Sequence, residues 1–246
     1  MLSVIIITKN EALHIERCLH SVAWADEIVV LDSGSTDATV AIAKQFTPKV
    51  IQTDWPGFGL QKQRALDLAT GDWVLSIDAD ETVSAALKVE IEQAMTQAEV
   101  NGYEIPRLSS YCGKEIRHAG WWPDYVLRLF RRESGYFTEH VVHERVIVDG
   151  QIARLSTPFL HEAFVDLTEV LDKVNHYSSL GARSLNAKGV KSSVFKAIYK
   201  GGWSFFKTYV LQTAFLDGNQ GLMLAISNAE GSYYKYLKLY ELQQRR

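Results

Sequence analysis

Three carboxylates close one short apolar stretch: Asp78, Asp80 and Glu81 follow Trp73-Val74-Leu75-Ser76-Ile77. The stretch is rich in strand formers and suits a strand buried on both faces of a parallel sheet. In open α/β sheets ligands bind beyond the carboxyl ends of the strands, so acids at that point face a crevice. Asp78 and Asp80 have period-two spacing and can point one way while Ala79 points the other. Paired hard oxygen donors of this kind suit Mg²⁺ or Mn²⁺ shared with substrate phosphates. The competing account is a solvated acidic turn, with Glu81 favourable in the first turn of a helix.

Two other apolar runs end in polar groups. Ser3-Val4-Ile5-Ile6-Ile7-Thr8 leads into Lys9-Asn10-Glu11, and Glu27-Ile28-Val29-Val30-Leu31 leads into Asp32. Polar loops at strand ends are ordinary, so no single residue here decides anything. Together they form what a nucleoside-diphosphate site needs. One carboxylate can accept a base N–H, a second can hold ribose hydroxyls, and metal-bound acids can neutralise a diphosphate. His161, at the end of Thr157-Pro158-Phe159-Leu160, is a third metal or phosphate contact, because neutral imidazole ligates Mn²⁺. A hydrogen-bonded structural histidine is the equal alternative.

These residues require a frame of alternating strands and helices. Asn10 is expected to cap a first helix whose apolar side is Leu13, Ile15, Cys18, Leu19 and Val22. Ser35 or Thr36 with Asp37 opens a second helix at Ala38, and Val50-Ile51-Gln52-Thr53 is a third strand. A helix from about 60 to 69 stops at Gly71, before the acidic strand. The β-α-β-α-β-α-β order predicts an α/β fold with a parallel sheet. No Gly-x-Gly-x-x-Gly or Walker loop is present, which weighs against dinucleotide and P-loop sites. After a helix over 85–100, strands are expected near 103–107, 126–131, 141–146 and 157–162. Beyond Asp166 the pattern is helical, without a clean second core. Trp121 and Trp122 either stack on sugar faces or fill a small core.

Charge is unevenly spread. Residues 1–185 carry 17 Lys and Arg against 26 Asp and Glu, a net of −9, while 186–246 carry 9 against 3, a net of +6. Such asymmetry points to a different partner for the tail. Lys188, Lys191, Lys196, Lys200 and Lys207 interleave with Phe195, Ile198, Tyr199, Trp203, Phe205 and Phe206. A segment of that composition either lies in the interface of an anionic membrane or packs on the rest of the chain. Two cysteines provide neither a disulfide framework nor metal spacing, and no signal peptide or membrane-spanning run is evident. The expectation is a cytoplasmic protein, peripheral on the inner membrane at most, with no nucleic-acid partner.

The motifs Val4-Ile5-Ile6-Ile7-Thr8-Lys9-Asn10-Glu11, Val29-Val30-Leu31-Asp32-Ser33-Gly34-Ser35-Thr36-Asp37 and Ile77-Asp78-Ala79-Asp80 resemble the family 2 glycosyltransferases of GT-A fold. That resemblance implies a mixed, mostly parallel sheet flanked by helices, and inverting transfer from a nucleotide sugar with Mg²⁺ or Mn²⁺. By that likeness Thr8, Asn10 and Glu11 belong to the uridine pocket and Asp32 holds the uracil edge. Asp78 approaches the ribose or the metal, and Asp80 binds the metal. Many relatives carry Ala-Arg-Asn before the Ala-x-Gly that precedes the metal strand. Here Gln61-Lys62-Gln63 stands ahead of Ala69-Thr70-Gly71, so Lys62 replaces the arginine without its planar fork.

Gly57-Phe58-Gly59-Leu60-Gln61-Lys62-Gln63, Val142-His143-Glu144, Leu160-His161-Glu162 and Phe215-Leu216-Asp217-Gly218 resemble the bacterial β-1,4-glucosyltransferases of lipopolysaccharide inner-core assembly. That implies a UDP-sugar donor, glucose as the hexose, and a core heptose or lipid-linked saccharide as acceptor. The base that takes the acceptor proton is expected among Asp124, Glu139, Glu144 and Glu162. Glu144 is preferred, with His143 orienting it; its alternative is a surface ion pair with Arg145 or Arg128. The expected division is a catalytic domain over 1–165, with a nucleotide-sugar half to about 100 and an acceptor half from about 101, then a helical extension over 166–246. Alternatives are a nucleotidyltransferase, which lacks its glycine-rich basic loop here, and a non-catalytic carbohydrate- or lipid-binding module.

Overall fold

The computed structural model describes residues 1–138 and 145–245. The chain forms two compact units: Met1–Arg107 with Asp124–His161, and Leu108–Pro123 with Glu162–Arg246. Residues 108–123 therefore group with the later helices and not with their neighbours in sequence.

The first unit opens with β1 (Leu2–Thr8), α1 (Ile15–Val22), β2 (Glu27–Asp32), α2 (Thr39–Ala43), β3 (Val50–Gln52), α3 (Phe58–Asp67) and β4 (Trp73–Asp78). A short β5 (Glu81–Thr82) and α4 (Ala85–Ala94) follow, and β6 (Val100–Tyr111) runs on into the second unit, which holds β7 (Lys114–Glu115). The chain returns with β8 (Asp124–Arg131), β9 (Gly135–Phe137), β10 (Val146–Val148), β11 (Gln151–Arg154) and β12 (Phe159–Phe164). Strands run in the order β3-β2-β1-β4-β8-β6-β12-β5. The first four are parallel, with Ile7 opposite Asp78 and Thr8 opposite Asp32. β8 is antiparallel to both β4 and β6.

The apolar runs are continuous because both faces of the sheet are covered. Val4, Ile6, Val30, Leu75 and Ile77 face Ile15 and Leu19 of α1 and Leu87 and Ile91 of α4. Ile5, Val29, Leu31 and Val74 face the other way, onto Ala65 and Leu66 of α3. Opposite the cleft end, Glu27 accepts from Lys49 Nζ, Ser3 Oγ and Thr70, whose N and Oγ1 lie at 2.8 and 2.9 Å. Burial pushes the Glu27 carboxyl up, but these donors outweigh it and hold the group down at about 2. Gly71 closes the α3–β4 turn there; a Cβ would stand 2.8 Å from Ser3 N and Oγ.

Several local expectations change. Asn10 does not cap α1: it has a φ of 57°, and the first helical N–H groups, His14 and Ile15, donate to Glu11 O. Asparagine tolerates the left-handed region, so the same residue type serves a turn. Leu13 is 75% exposed and contributes nothing to the apolar side of α1. α4 ends at Ala94, and Val100 already belongs to β6.

The second unit contains α5 (Leu167–Ala187), α6 (Val194–Phe206) and α7 (Gly218–Gln244). Asp166 caps α5 through Glu169 N at 2.9 Å, and Ser193 caps α6 through Lys196 N at 3.1 Å. Contrary to expectation this unit has its own small core. Tyr111, Ile116, Ala119, Val170, Ala214 and Leu224 form it, with Trp121 and Phe164 packed against them. Its contributors come from segments a hundred residues apart, so no window of sequence shows it. Asp217 is buried and accepts from His118 N at 2.9 Å and Arg117 N at 3.2 Å, which gives the Phe215–Gly218 motif a structural role.

Candidate active site

The carboxyl ends of β1 and β4 border a cleft of about 460 Å³ in the first unit. Thr8, Lys9 and Glu11 line one side, Asp78, Ala79 and Asp80 the floor, and Lys62, Arg107 and His161 the remainder. Trp55 and Phe58 also line it; they pack edge to face at 4.7 Å and remain 42% and 50% exposed. Thr8 Oγ1 is buried and has no hydrogen-bond partner among the described residues.

Beneath the cleft the charges alternate. Lys62 Nζ lies 3.0 Å from Asp78 Oδ1, and Arg128 Nη2 donates to Asp78 Oδ2 and, at 2.9 Å, to Glu81 Oε1. Arg107 stands 3.7 Å from Glu81 and 2.6 Å from Asp124. Glu81 Oε2 also accepts from Asp78 N at 3.0 Å, so the β4 turn folds back on its own strand. Three cations thus offset three carboxylates, as buried charges require. Burial disfavours ionised Asp78, but Arg128 and Lys62 outweigh it and hold that carboxyl well below the ordinary range. Burial pushes Glu81 up against the pull of Arg128. Burial opposes the charge on Arg128 too, yet Asp78 and Glu81 hold its pKa above the usual guanidinium value.

Asp80 is set apart from this ladder. Its Oδ2 lies 3.3 Å from His161 Nε2, both side chains line the cleft, and His161 is held there by the pairing of β12 with Glu81 of β5. Among the described residues no three His, Cys, Asp or Glu side chains converge as a complete metal cage. One carboxylate and one imidazole nevertheless fit Mg²⁺ or Mn²⁺, which take remaining ligands from water and substrate phosphates. Asp78 fits less well, because both its oxygens already receive cations from the protein.

The loops after β1 and β2 are laced together. Asn10 Oδ1 accepts from Thr36 N at 2.8 Å, Asn10 N donates to Ser35 Oγ at 2.8 Å, and Ala12 N donates to Asp37 Oδ2 at 3.1 Å. Asp32 is fully buried below them and accepts from Gly34 N, Ser35 N and Ser35 Oγ, with Gln52 Nε2 at 3.3 Å. Asn10 and Asp32 therefore shape the rim of the cleft and are not among its lining side chains.

Of the base candidates, Glu139, His143 and Glu144 lie outside the described residues. Asp124 is held by the Arg107 guanidinium through both Nε and Nη2, and Glu162 follows His161 on β12, half-buried. Arg128 is committed to Asp78 and Glu81. Trp121 packs on Tyr111 and Phe164 in the second unit, with centroids 6.2 Å from each. Trp55, Arg107 and Arg128 stand outside the residues that the sequence pattern marks for the site, whereas Glu81 is marked as one of the three strand-end acids. The aromatic pair around Pro56-Gly57 was a usable signal; the arginines, on later strands, offered none.

A model of the family described as "Glycosyl transferase family 2" matches residues 3–143. The chain belongs to glycosyl transferase family 2. A Rickettsia felis protein described as an uncharacterized glycosyltransferase is 33% identical over 98% of this chain and 89% of its own length. The lipopolysaccharide core biosynthesis glycosyltransferase LpsC of Rhizobium meliloti is 29% identical over 98% of this chain and 92% of its own. Among solved structures, S. aureus TarS 1-349 in complex with UDP has a TM-score of 0.50 at 16% identity, covering 99% of this chain and 91% of that one. This last likeness is one of fold. The architecture is the GT-A arrangement of the family: a mixed, mostly parallel sheet flanked by helices, followed by a helical carboxyl-terminal region.

Proposed function

We propose that the cleft of the first unit binds a UDP-sugar and that this family 2 glycosyltransferase moves a hexose, glucose by the resemblance, onto a lipopolysaccharide inner-core heptose with inversion. The observation that carries the reading is the Asp80–His161 pair, 3.3 Å apart at one side of a cleft whose floor is otherwise charge-balanced. The near full-length likeness to LpsC, a protein named for lipopolysaccharide core biosynthesis, supports the acceptor class.

In this reading Thr8 Oγ1 and Glu11 meet the polar edge of the uracil, and Trp55 with Phe58 offers aromatic faces to a ring. Asp32 and Asn10 act at one remove, by holding the loops that frame that pocket. Lys62 offers a point charge toward the diphosphate while tied to Asp78. Mg²⁺ or Mn²⁺ held by Asp80 and His161 would neutralise charge on the leaving diphosphate. The acceptor hydroxyl attacks the anomeric carbon in line; its C–O bond forms as the bond to UDP breaks, and Glu144 takes the hydroxyl proton. The nucleotide-sugar half to about residue 100 and the acceptor half from about 101 to 165 remain the proposed division of labour.

Titration calorimetry with UDP-glucose, with and without Mn²⁺, tests the reading. Binding strengthened by Mn²⁺ and weakened by His161→Ala supports it. Absence of UDP-glucose binding under both conditions overturns it.

A further inference from the structure

Helix α6 is inside out. Its buried side consists of small residues: Ala197 and Gly201 are buried, and Ser204 Oγ donates to Asn228 O at 3.0 Å on α7. A Cβ on Gly201 would stand 3.1 Å from Tyr233 Cβ and 3.3 Å from Ala229 O, so α6 and α7 approach closely along this side. The large apolar residues take the opposite side. Phe195, Ile198, Tyr199, Trp203 and Phe206 recur at helical spacing as one row, each between 44% and 79% exposed. Apolar surface of this extent is seldom left to water without a partner.

Lysines flank the row. Lys196, Lys200 and Lys207 recur at spacings of four and seven, which places them together along one edge, between the apolar row and the buried side. Lys196 Nζ donates to Lys191 O at 2.7 Å, and Lys196 and Lys200 Nζ lie 5.5 and 5.8 Å from the Tyr236 ring of α7, which holds both charges along the α7 side of the row. Past the helix end Phe205 stacks on Tyr209 at 5.3 Å, and Tyr209, packed against the small core, meets Phe215 at 6.1 Å.

We infer that the exposed face of α6 docks on an anionic membrane surface, lying in the interface with Phe195, Ile198 and Trp203 inserted and the lysine edge against lipid phosphates. The charge decides the occupant. A second copy would bring the edge of Lys196, Lys200 and Lys207 against a like surface, whereas an anionic bilayer complements it. Aromatic and aliphatic residues beside lysines are the composition of a helix lying in the interface. Among the described residues no helix is long and apolar enough to cross a membrane, and docking requires none.

The test is co-sedimentation of the intact protein with vesicles of phosphatidylcholine and phosphatidylglycerol, and with phosphatidylcholine alone, at low and high salt. Binding to the anionic vesicles at low salt, weakened by salt, is expected. Phe195→Ser with Ile198→Ser should lower the partition by roughly tenfold or more, and Lys200→Gln with Lys207→Gln should do so for anionic vesicles only. The Phe195 and Ile198 pair should leave the thermal midpoint unchanged, since those two side chains lie on the open side of the helix. No binding at low salt overturns the inference. So does binding unaffected by either pair, or self-association of the free protein that the Phe195 and Ile198 changes abolish.

Discussion

Arg128 Nη2 and Glu81 Oε1 lie 2.9 Å apart, with no exposed surface on the Glu81 side chain and 8% on that of Arg128. The guanidinium comes from β8, 47 residues along the chain from the carboxylate it neutralises. It also donates to Asp78, so one residue of the antiparallel half fixes the floor of the cleft.

Removing that cation leaves the fully buried Glu81 carboxylate facing Asp78, whose side chain borders the cleft. Arg128→Met should cost about 3–5 kcal/mol of stability, measured by urea denaturation. Adding Glu81→Gln should recover part of the loss, because one buried charge then disappears. A cost within about 1 kcal/mol would mean the network is solvated like a surface ion pair.

Glu27 makes the fold acid-sensitive at the end of the sheet away from the cleft. Its folded pKa of about 2 lies below the unfolded carboxylate value near 4.5. Its contribution is therefore complete above that unfolded value and is lost as pH falls through about 2. The shift corresponds to a contribution on the order of 3 kcal/mol at neutral pH. Thermal melts of Glu27→Gln should show a lower midpoint at pH 7 and a flatter decline toward acid than the parent. Parallel curves would remove Glu27 from the account of acid stability.

Glu144 is the proposed base. Glu144→Gln keeps size and hydrogen bonding and removes proton acceptance, so kcat should fall by about 10²–10⁴ with UDP-sugar affinity retained. Asp124→Asn should disturb the Arg107 contact and lower kcat far less. The reverse order of effects would move the base to Asp124; joint loss of binding and turnover in Glu144→Gln would make Glu144 a binding residue.

The four parallel strands are readable because Val, Ile and Leu runs buried on both faces have few other uses, and because acids directly after them mark the open edge of a sheet. Asp78, Asp80, Thr8 and Glu11 follow from that logic. What escapes it is long-range. Arg107 and Arg128 occupy strands that pair with the parallel half only after the chain has left and returned, and their sequence neighbourhoods look like ordinary alternating strands. Asn10 carries the same side chain for a helix cap as for a left-handed turn, and its long-range bonds to Ser35 and Thr36 distinguish the two. The end of α4 at Ala94 has no glycine or proline to announce it, and the apolar pattern runs unbroken into β6. The core of the second unit combines Tyr111 and Ile116 with Val170 and Leu224, a pairing no local periodicity encodes.

The central claim is metal-assisted transfer from a UDP-sugar at Asp80 and His161. UDP release from UDP-glucose and Mn²⁺, with and without delipidated heptose-containing core acceptor, measures it most directly on the parent and on Asp80→Ala. The account predicts release that needs the acceptor and falls by at least about 10² in Asp80→Ala, with the melting temperature preserved. Near-normal turnover by folded Asp80→Ala would contradict it, as would pyrophosphate release from UTP in place of UDP release.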